Sequence, residues 1–183
     1  ENGYNITKLF SPEHGIHTKG EDGVAQHNAT DILTGLPVIS LYGAKLAPTE
    51  EDLQDIDIVL FDIPDIGCRF YTYLWTMTYV MEACAENGIP LIILDRPNPN
   101  GSITDGPLLE KEFTSFVGMH PVPLLHGLTI GEYRKMINGQ KWLKNAAQCK
   151  LTVIPCINYN RKMQYSLLVK PSPNLPNDQS INL

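Results

Sequence analysis

Apolar runs of four to eight residues alternate along this chain with stretches whose apolar positions recur every three or four residues. The first pattern is that of strands and the second that of helices. Residues 6–10 read as the end of a strand stopped by Ser11-Pro12, and residues 38–42 (VISLY) as a second strand. Residues 56–63 (IDIVLFDI) are apolar almost throughout, which predicts a strand covered on both faces. Residues 70–87 carry Phe70, Leu74, Met77, Met81 and Ala85 at helical steps, and Gly88 follows where a left-handed cap belongs. Residues 91–94 and 151–154 complete the set of strands. Two capping boxes punctuate the pattern. Thr49-x-x-Asp52 opens a short helix, and Thr129-x-x-Glu132 opens one that ends before Gly139. The βαβα rhythm predicts an α/β fold with a doubly wound, mostly parallel sheet. Strands 56–63 and 91–94 should be parallel neighbours joined by the 70–87 helix. This domain is expected over residues 1–157, with 158–183 a linker and the start of a further domain; PSPNLP (171–176) reads as a loop.

Composition narrows the picture. Of 183 residues 43% are apolar, enough for a core, while 14 Gly and 14 Pro announce many structured loops. The net charge of −6 and the lack of a Lys/Arg run argue against nucleic acid as a partner. The longest apolar runs, such as 90–94, are far too short to span a bilayer. The four cysteines (68, 84, 149 and 156) contain no C-x-x-C pair, so Cys84 and Cys156 are expected as buried thiols. The first residues resemble no leader peptide, and the residues themselves do not reveal localisation.

In an open parallel sheet, ligands bind beyond the carboxyl ends of the strands. Those positions hold Ser11-Pro12-Glu13-His14-Gly15, then 62–69 (DIPDIGCR), 95–101 (DRPNPNG) and, later, Leu124-Leu125-His126-Gly127. Four loops rich in carboxylate, Arg, Asn and His on one edge make a polar crevice. Each residue taken singly also has a plainer reading: an Asp after a strand often caps the next helix, and Pro-Asn-Pro-Asn-Gly can be a stiff turn. Glu13-His14-x-x-His17 has metal-ligand residue types, but Pro12 and Gly15 take it off any helix, and no metal is expected. No G-x-S-x-G, Walker or G-x-G-x-x-G motif is present, and no cofactor is expected. Tyr71, Tyr73 and Trp75 could form a sugar platform, although aromatic residues opening a buried helix more often belong to the core.

The segments FSPEHG (10–15), TGLPVISLYG (34–43), FDIPDIGCRFYTY (61–73), LDRPNPNG (94–101), SFVG (115–118) and HGLTIGEY (126–133), in this order, resemble the NamZ-type exo-β-N-acetylmuramidases. The resemblance runs from about residue 6 to 176. It implies a Rossmann-like domain followed by a smaller one, and release of N-acetylmuramic acid from non-reducing ends of peptidoglycan fragments. It also implies a periplasmic or secreted setting, and it leaves a homodimer open. Glu13 falls on the family's glutamate and would be the catalytic acid, with Asp65 a candidate second catalytic group. His14, Arg69, Asp95, Arg96, Asn98 and His126 fall on its other polar positions and would bind substrate. Pro64 stands where the family commonly has Gln, and Ser102 where it has a second Gly. The family also has a strand–helix unit before FSPEHG and a domain after PSPN, so the resemblance implies an incomplete chain.

Glycoside hydrolysis needs a proton donor at the leaving oxygen and stabilisation of an oxocarbenium-like centre. Partial burial of Glu13 would favour the protonated form. The second participant is Asp65 or the substrate's own acetamido group, and Arg69 or Arg96 would suit the lactyl carboxylate. Two other classes stay open: a metal-dependent sugar or phosphate-ester hydrolase using Asp62, Asp65 and Asp95, and a non-catalytic muropeptide- or sugar-binding module.

Overall fold

The computed structural model describes residues 3–181. Strands β1 (Leu9–Ser11), β2 (Ala29–Thr30) and β3 (Pro37–Ser40) form one ladder, with β1 parallel and β2 antiparallel to the central β3. A second ladder holds β4 (Val59–Phe61), β5 (Leu91–Leu94) and β6 (Leu151–Ile154) in that order, all parallel. Helix α1 (Tyr73–Glu86) connects β4 to β5, and α2 (Ile130–Gln140) lies between β5 and β6. A short α3 (Asp178–Ile181) closes the described chain. The expected pairing of β4 and β5 is present, with Val59 opposite Leu91 and Phe61 opposite Ile93. The α/β, Rossmann-like reading therefore stands, with the strands divided between two ladders.

Helix α1 is apolar on nearly every side because it is buried on nearly every side. Leu74, Trp75, Met77 and Met81 are sealed against Val59, Phe61, Leu91 and Ile93 of the sheet and against Ile130, Tyr133 and Ile137 of α2. Each large apolar side chain so buried contributes about 1.5–3 kcal/mol. The helix starts at Tyr73 rather than residue 70. Residues 68–71 form a turn closed by Tyr71 N–H on Cys68 O, and Phe70 is 46% exposed. Gly88 takes the left-handed φ of 68° expected of it.

Both helices cover the same face of the second ladder, which corrects the expectation that residues 56–63 are covered on both faces. Val59 and Phe61 face the helices, while Leu60 is 58% exposed on the other side, as is Ile154 at 49%. Three local expectations are refined. The Thr49–Asp52 box forms reciprocally (2.8 and 3.2 Å) but opens only a 3₁₀ turn, Glu51–Leu53. The Thr129–Glu132 box also forms, yet α2 runs through Gly139 and ends at a left-handed Lys141. Cys68, Cys84 and Cys149 are buried thiols, whereas Cys156 is only half-buried. No helix of the described residues is long and apolar enough to cross a membrane.

Beyond residue 157 the chain turns back onto the domain. Leu167, Leu175 and Ile181 pack with Ile66, Cys68, Tyr71, Tyr73 and Leu125 in a small second cluster.

Candidate active site

Glu13 is placed by a tight turn at the carboxyl end of β1. Gly15 N–H donates to Pro12 O, and His14 adopts a left-handed φ of 68°. That conformation is costly for a residue with a Cβ and persists only where its surroundings enforce it. Here Gly20 N–H donates to His14 O at 2.9 Å, and the His14 Nδ1 lies 2.9 Å from Gly20 O. The turn carries Glu13 inward, to 4% exposure. Its Oε1 accepts from Gly23 N–H at 2.8 Å and its Oε2 from the Thr72 hydroxyl at 2.7 Å. The Tyr42 hydroxyl stands beside it; burial, and then the Glu13 carboxyl, push that phenol up to about 12. Thr72 occupies the N-cap position of α1, yet its side chain makes no cap bond. Its hydroxyl goes to Glu13 instead, forgoing a cap of about 1 kcal/mol, and brings the carboxyl to the positive end of a 14-residue helix.

Asp65 follows β4 and is 3% exposed. Its Oδ2 accepts from Gly67 N–H at 2.9 Å and lies 3.6 Å from His126 Nε2, while its buried Oδ1 has no partner. Leu128 N–H donates to His126 Nδ1 at 3.2 Å, so the neutral ring keeps its proton on Nε2, toward Asp65. Gly67 has a φ of 81°, and a Cβ there would collide with the Asn98 amide. Only glycine lets these two loops meet so closely. Tyr73 packs against Tyr71, ring centroids 4.8 Å apart, and meets His14 edge-on at 6.4 Å. Tyr73 is electrostatically coupled to Glu13, and Tyr71 to Asp65.

The remaining sequence-derived candidates hold the loops together. Asp95 takes the capping role weighed in the sequence: it accepts from the Thr129 hydroxyl (2.7 Å) and from Gly131 N–H (2.8 Å) at the start of α2. Asn98 is 2% exposed, donates to Leu128 O and accepts from Asn100 N–H. Arg69 Nη1 donates to Pro107 O and Val122 O, binding the 107–122 loop. Arg96 pairs with Asp62 at the surface. His17 turns away from His14 and meets Asp31 at 3.3 Å. Asp62, Asp65 and Asp95 thus do not assemble a ligand set. Among the described residues the one group spaced for a cation is Glu13, His14 and Asp22, whose ligand atoms lie within 4.8 Å of one another. Glu13 Oε1 accepts from Gly23 N–H and Oε2 from the Thr72 hydroxyl, and each keeps a second lone pair that could face a cation.

A cavity of about 490 Å³ opens beside His126, lined by Gly101, Ser102, Thr104, Arg161 and Lys162 among others. Its size suits a small ligand. Sequence reasoning missed Thr72, Tyr42, Arg161 and Lys162. Tyr42 could have been found, because it follows a strand and so lies on the binding edge. Thr72 could not, since its position reads as an ordinary helix start.

Set beside known proteins, residues 1–179 match the family described as the N-terminal part of the exo-β-N-acetylmuramidase NamZ. The chain is 46% identical over 180 residues to the peptidoglycan β-N-acetylmuramidase NamZ of Bacillus subtilis (strain 168), covering 96% of this chain and 42% of that protein. Two solved DUF1343 family proteins of Bacteroides fragilis NCTC 9343 superpose with TM-scores of 0.87 at 44% and 41% identity. Each alignment covers 98% of this chain, and 47% and 46% of the respective structures. The chain therefore spans under half the length of these relatives. With its PEHG turn, its parallel α/β ladder and a match over nearly all its length, the chain belongs to the NamZ N-terminal family.

Proposed function

We propose that the protein carrying this chain is an exo-acting β-N-acetylmuramidase that releases N-acetylmuramic acid from the ends of peptidoglycan fragments. The observation that carries this reading is the placement of Glu13. A carboxyl is held in a buried turn at the carboxyl edge of the sheet, its orientation set by Gly23 N–H and the Thr72 hydroxyl. The name borne by the Bacillus relative supports the substrate class. Glu13 delivers a proton to the glycosidic oxygen as the bond to the sugar breaks. Asp65, buried and 3.6 Å from His126 Nε2, is the second carboxyl of this reading. It either stabilises the oxocarbenium-like centre or orients the substrate's acetamido group for internal attack. Asp95 and Asn98 set the loops, Arg69 anchors one of them, and the cavity beside His126 receives part of the saccharide.

The Glu13, His14 and Asp22 grouping favours a second reading, a metal-assisted hydrolase. One assay separates the two. Full-length protein is incubated with a chromogenic N-acetylmuramide and its N-acetylglucosaminide counterpart, with and without EDTA. The proposal expects turnover of the muramide, about tenfold or more in excess of the glucosaminide and indifferent to chelator. Loss of turnover with EDTA and its return with a divalent ion would establish the metal reading instead.

A further inference from the structure

Within residues 158–183, expected as linker and the start of a further domain, residues 167–175 lie against Tyr71 and Tyr73. The hydroxyls of Tyr71 and Tyr73 both donate to Pro171 O, each at 2.9 Å. A carbonyl oxygen has two acceptor positions, and here both are filled from residues about a hundred positions away in the chain. Ser172 is 2% exposed, its hydroxyl interacting with that of Tyr71. The segment is tied down on either side of this junction. The Thr18 hydroxyl, from the loop that follows Glu13, donates to Lys170 O at 3.4 Å. Leu167 and Leu175 pack against Ile66 and Cys68 of the Asp65 loop. Prolines 171, 173 and 176 stiffen the segment, so ordering it costs little entropy.

We propose that residues 167–175 form a strap that is part of the active site, and that Tyr71 and Tyr73 are positioning residues through which it fixes the loops carrying Glu13 and Asp65. Burial holds the Tyr73 phenol up at about 12 and pushes that of Tyr71 up as well, so both remain donors at neutral pH. With the strap seated, the two rings pack 4.8 Å apart with both hydroxyls on one carbonyl oxygen. With it lifted, both hydroxyls lose the Pro171 acceptor together, and the loops carrying Glu13 and Asp65 lose their shared anchor. The catalytic consequence rests on the glycosidase reading; the strap itself does not.

The test is a double-mutant cycle in the full-length protein with Tyr71→Phe and Tyr73→Phe. Phe keeps ring and volume, and either single variant leaves one hydroxyl on Pro171 O. Each single change is expected to lower kcat on the chromogenic muramide less than about threefold. The double change should lower it more than about tenfold, exceeding the product of the singles, with KM changed less than kcat. Amide exchange at 168–170, 172, 174 and 175, which is read without any substrate, should accelerate strongly only in the double variant. Independent, multiplicative losses would overturn the proposal, as would unchanged exchange in the double variant. If the wild-type protein does not turn over the muramide, the glycosidase reading fails, and the exchange experiment still decides the strap.

Discussion

Thr72 shows how one side chain can be diverted from structure to the site. At an N-cap its hydroxyl would ordinarily accept from the first turn of α1; here it donates to Glu13. Replacing it with Val keeps the shape and removes only that bond. Because Glu13 Oε2 is buried and loses this donor, stability should fall by about 1–3 kcal/mol. Because the bond to Glu13 is lost, kcat should fall about tenfold with KM little altered. Denaturant unfolding and steady-state kinetics on the same variant check both halves. Unchanged kcat in this variant would return Thr72 to an ordinary helix start. Thr72 and His14 are also where the sequence was least informative. A threonine before a helix looks like a cap, and nothing local to His14 announces a left-handed residue.

At the scale of elements, Asp95 links the end of β5 to the start of α2. Its carboxylate accepts from Thr129 Oγ1 and Gly131 N–H, while Thr129 caps the helix through Glu132 N–H. Asp95→Ala leaves two buried donors unpaired. It should cost about 2–4 kcal/mol, measured as a shift of the urea midpoint at constant m-value. An Asp95→Ala variant of normal stability that binds substrate poorly would make Asp95 a ligand-binding group rather than a cap. The α2 box was legible because its signal is local, four residues long and chemically reciprocal. The pairing of β4 with β5 was legible for a similar reason, since a helix between two apolar runs leaves few topologies. The open face of β4 was not: Ile58 and Leu60 are apolar and exposed, so alternation that would have marked a one-sided strand is absent. Of the site, the loop positions of Glu13 and Asp65 followed from where the strands end. The strap did not, because its contacts join residues about a hundred apart and leave no local trace.

For the molecule as a whole, the interior between α1 and α2 carries a titrating group that sets acid stability. His120 is 7% exposed, stacked on Trp142 and edge-on to Trp75. Burial, and then the charge of the fully buried Arg134, lower its pKa to about 4. The ordinary value near 6.5 applies to the unfolded chain. Above pH 6.5 neither state is protonated at this group and it has no effect. As pH falls from 6.5 to 4 the unfolded chain takes up the proton and the folded one resists. The folded state therefore loses stability across that window, by about 3 kcal/mol at its end. A His120→Phe variant, which keeps the stacking and cannot protonate, should show a shallower decline between pH 6.5 and 4 in denaturant midpoints. Parallel pH profiles for the two proteins would mean that His120 is not the group responsible.

The central claim is that Glu13 is the proton donor, and the Glu13→Gln variant tests it most directly. Gln keeps the shape, its carbonyl oxygen can accept from Gly23 N–H while its NH2 donates to the Thr72 hydroxyl, and it cannot protonate a leaving oxygen. Turnover by the full-length protein is compared on a muramide with a sugar leaving group and on its nitrophenyl counterpart, which needs little protonation. General acid catalysis contributes about 10²–10⁴-fold. The account predicts a loss of that size on the sugar leaving group, a clearly smaller loss on nitrophenolate, and retained binding of N-acetylmuramic acid. Near-normal turnover of the substrate with the poor leaving group, or equal losses on both, would contradict it.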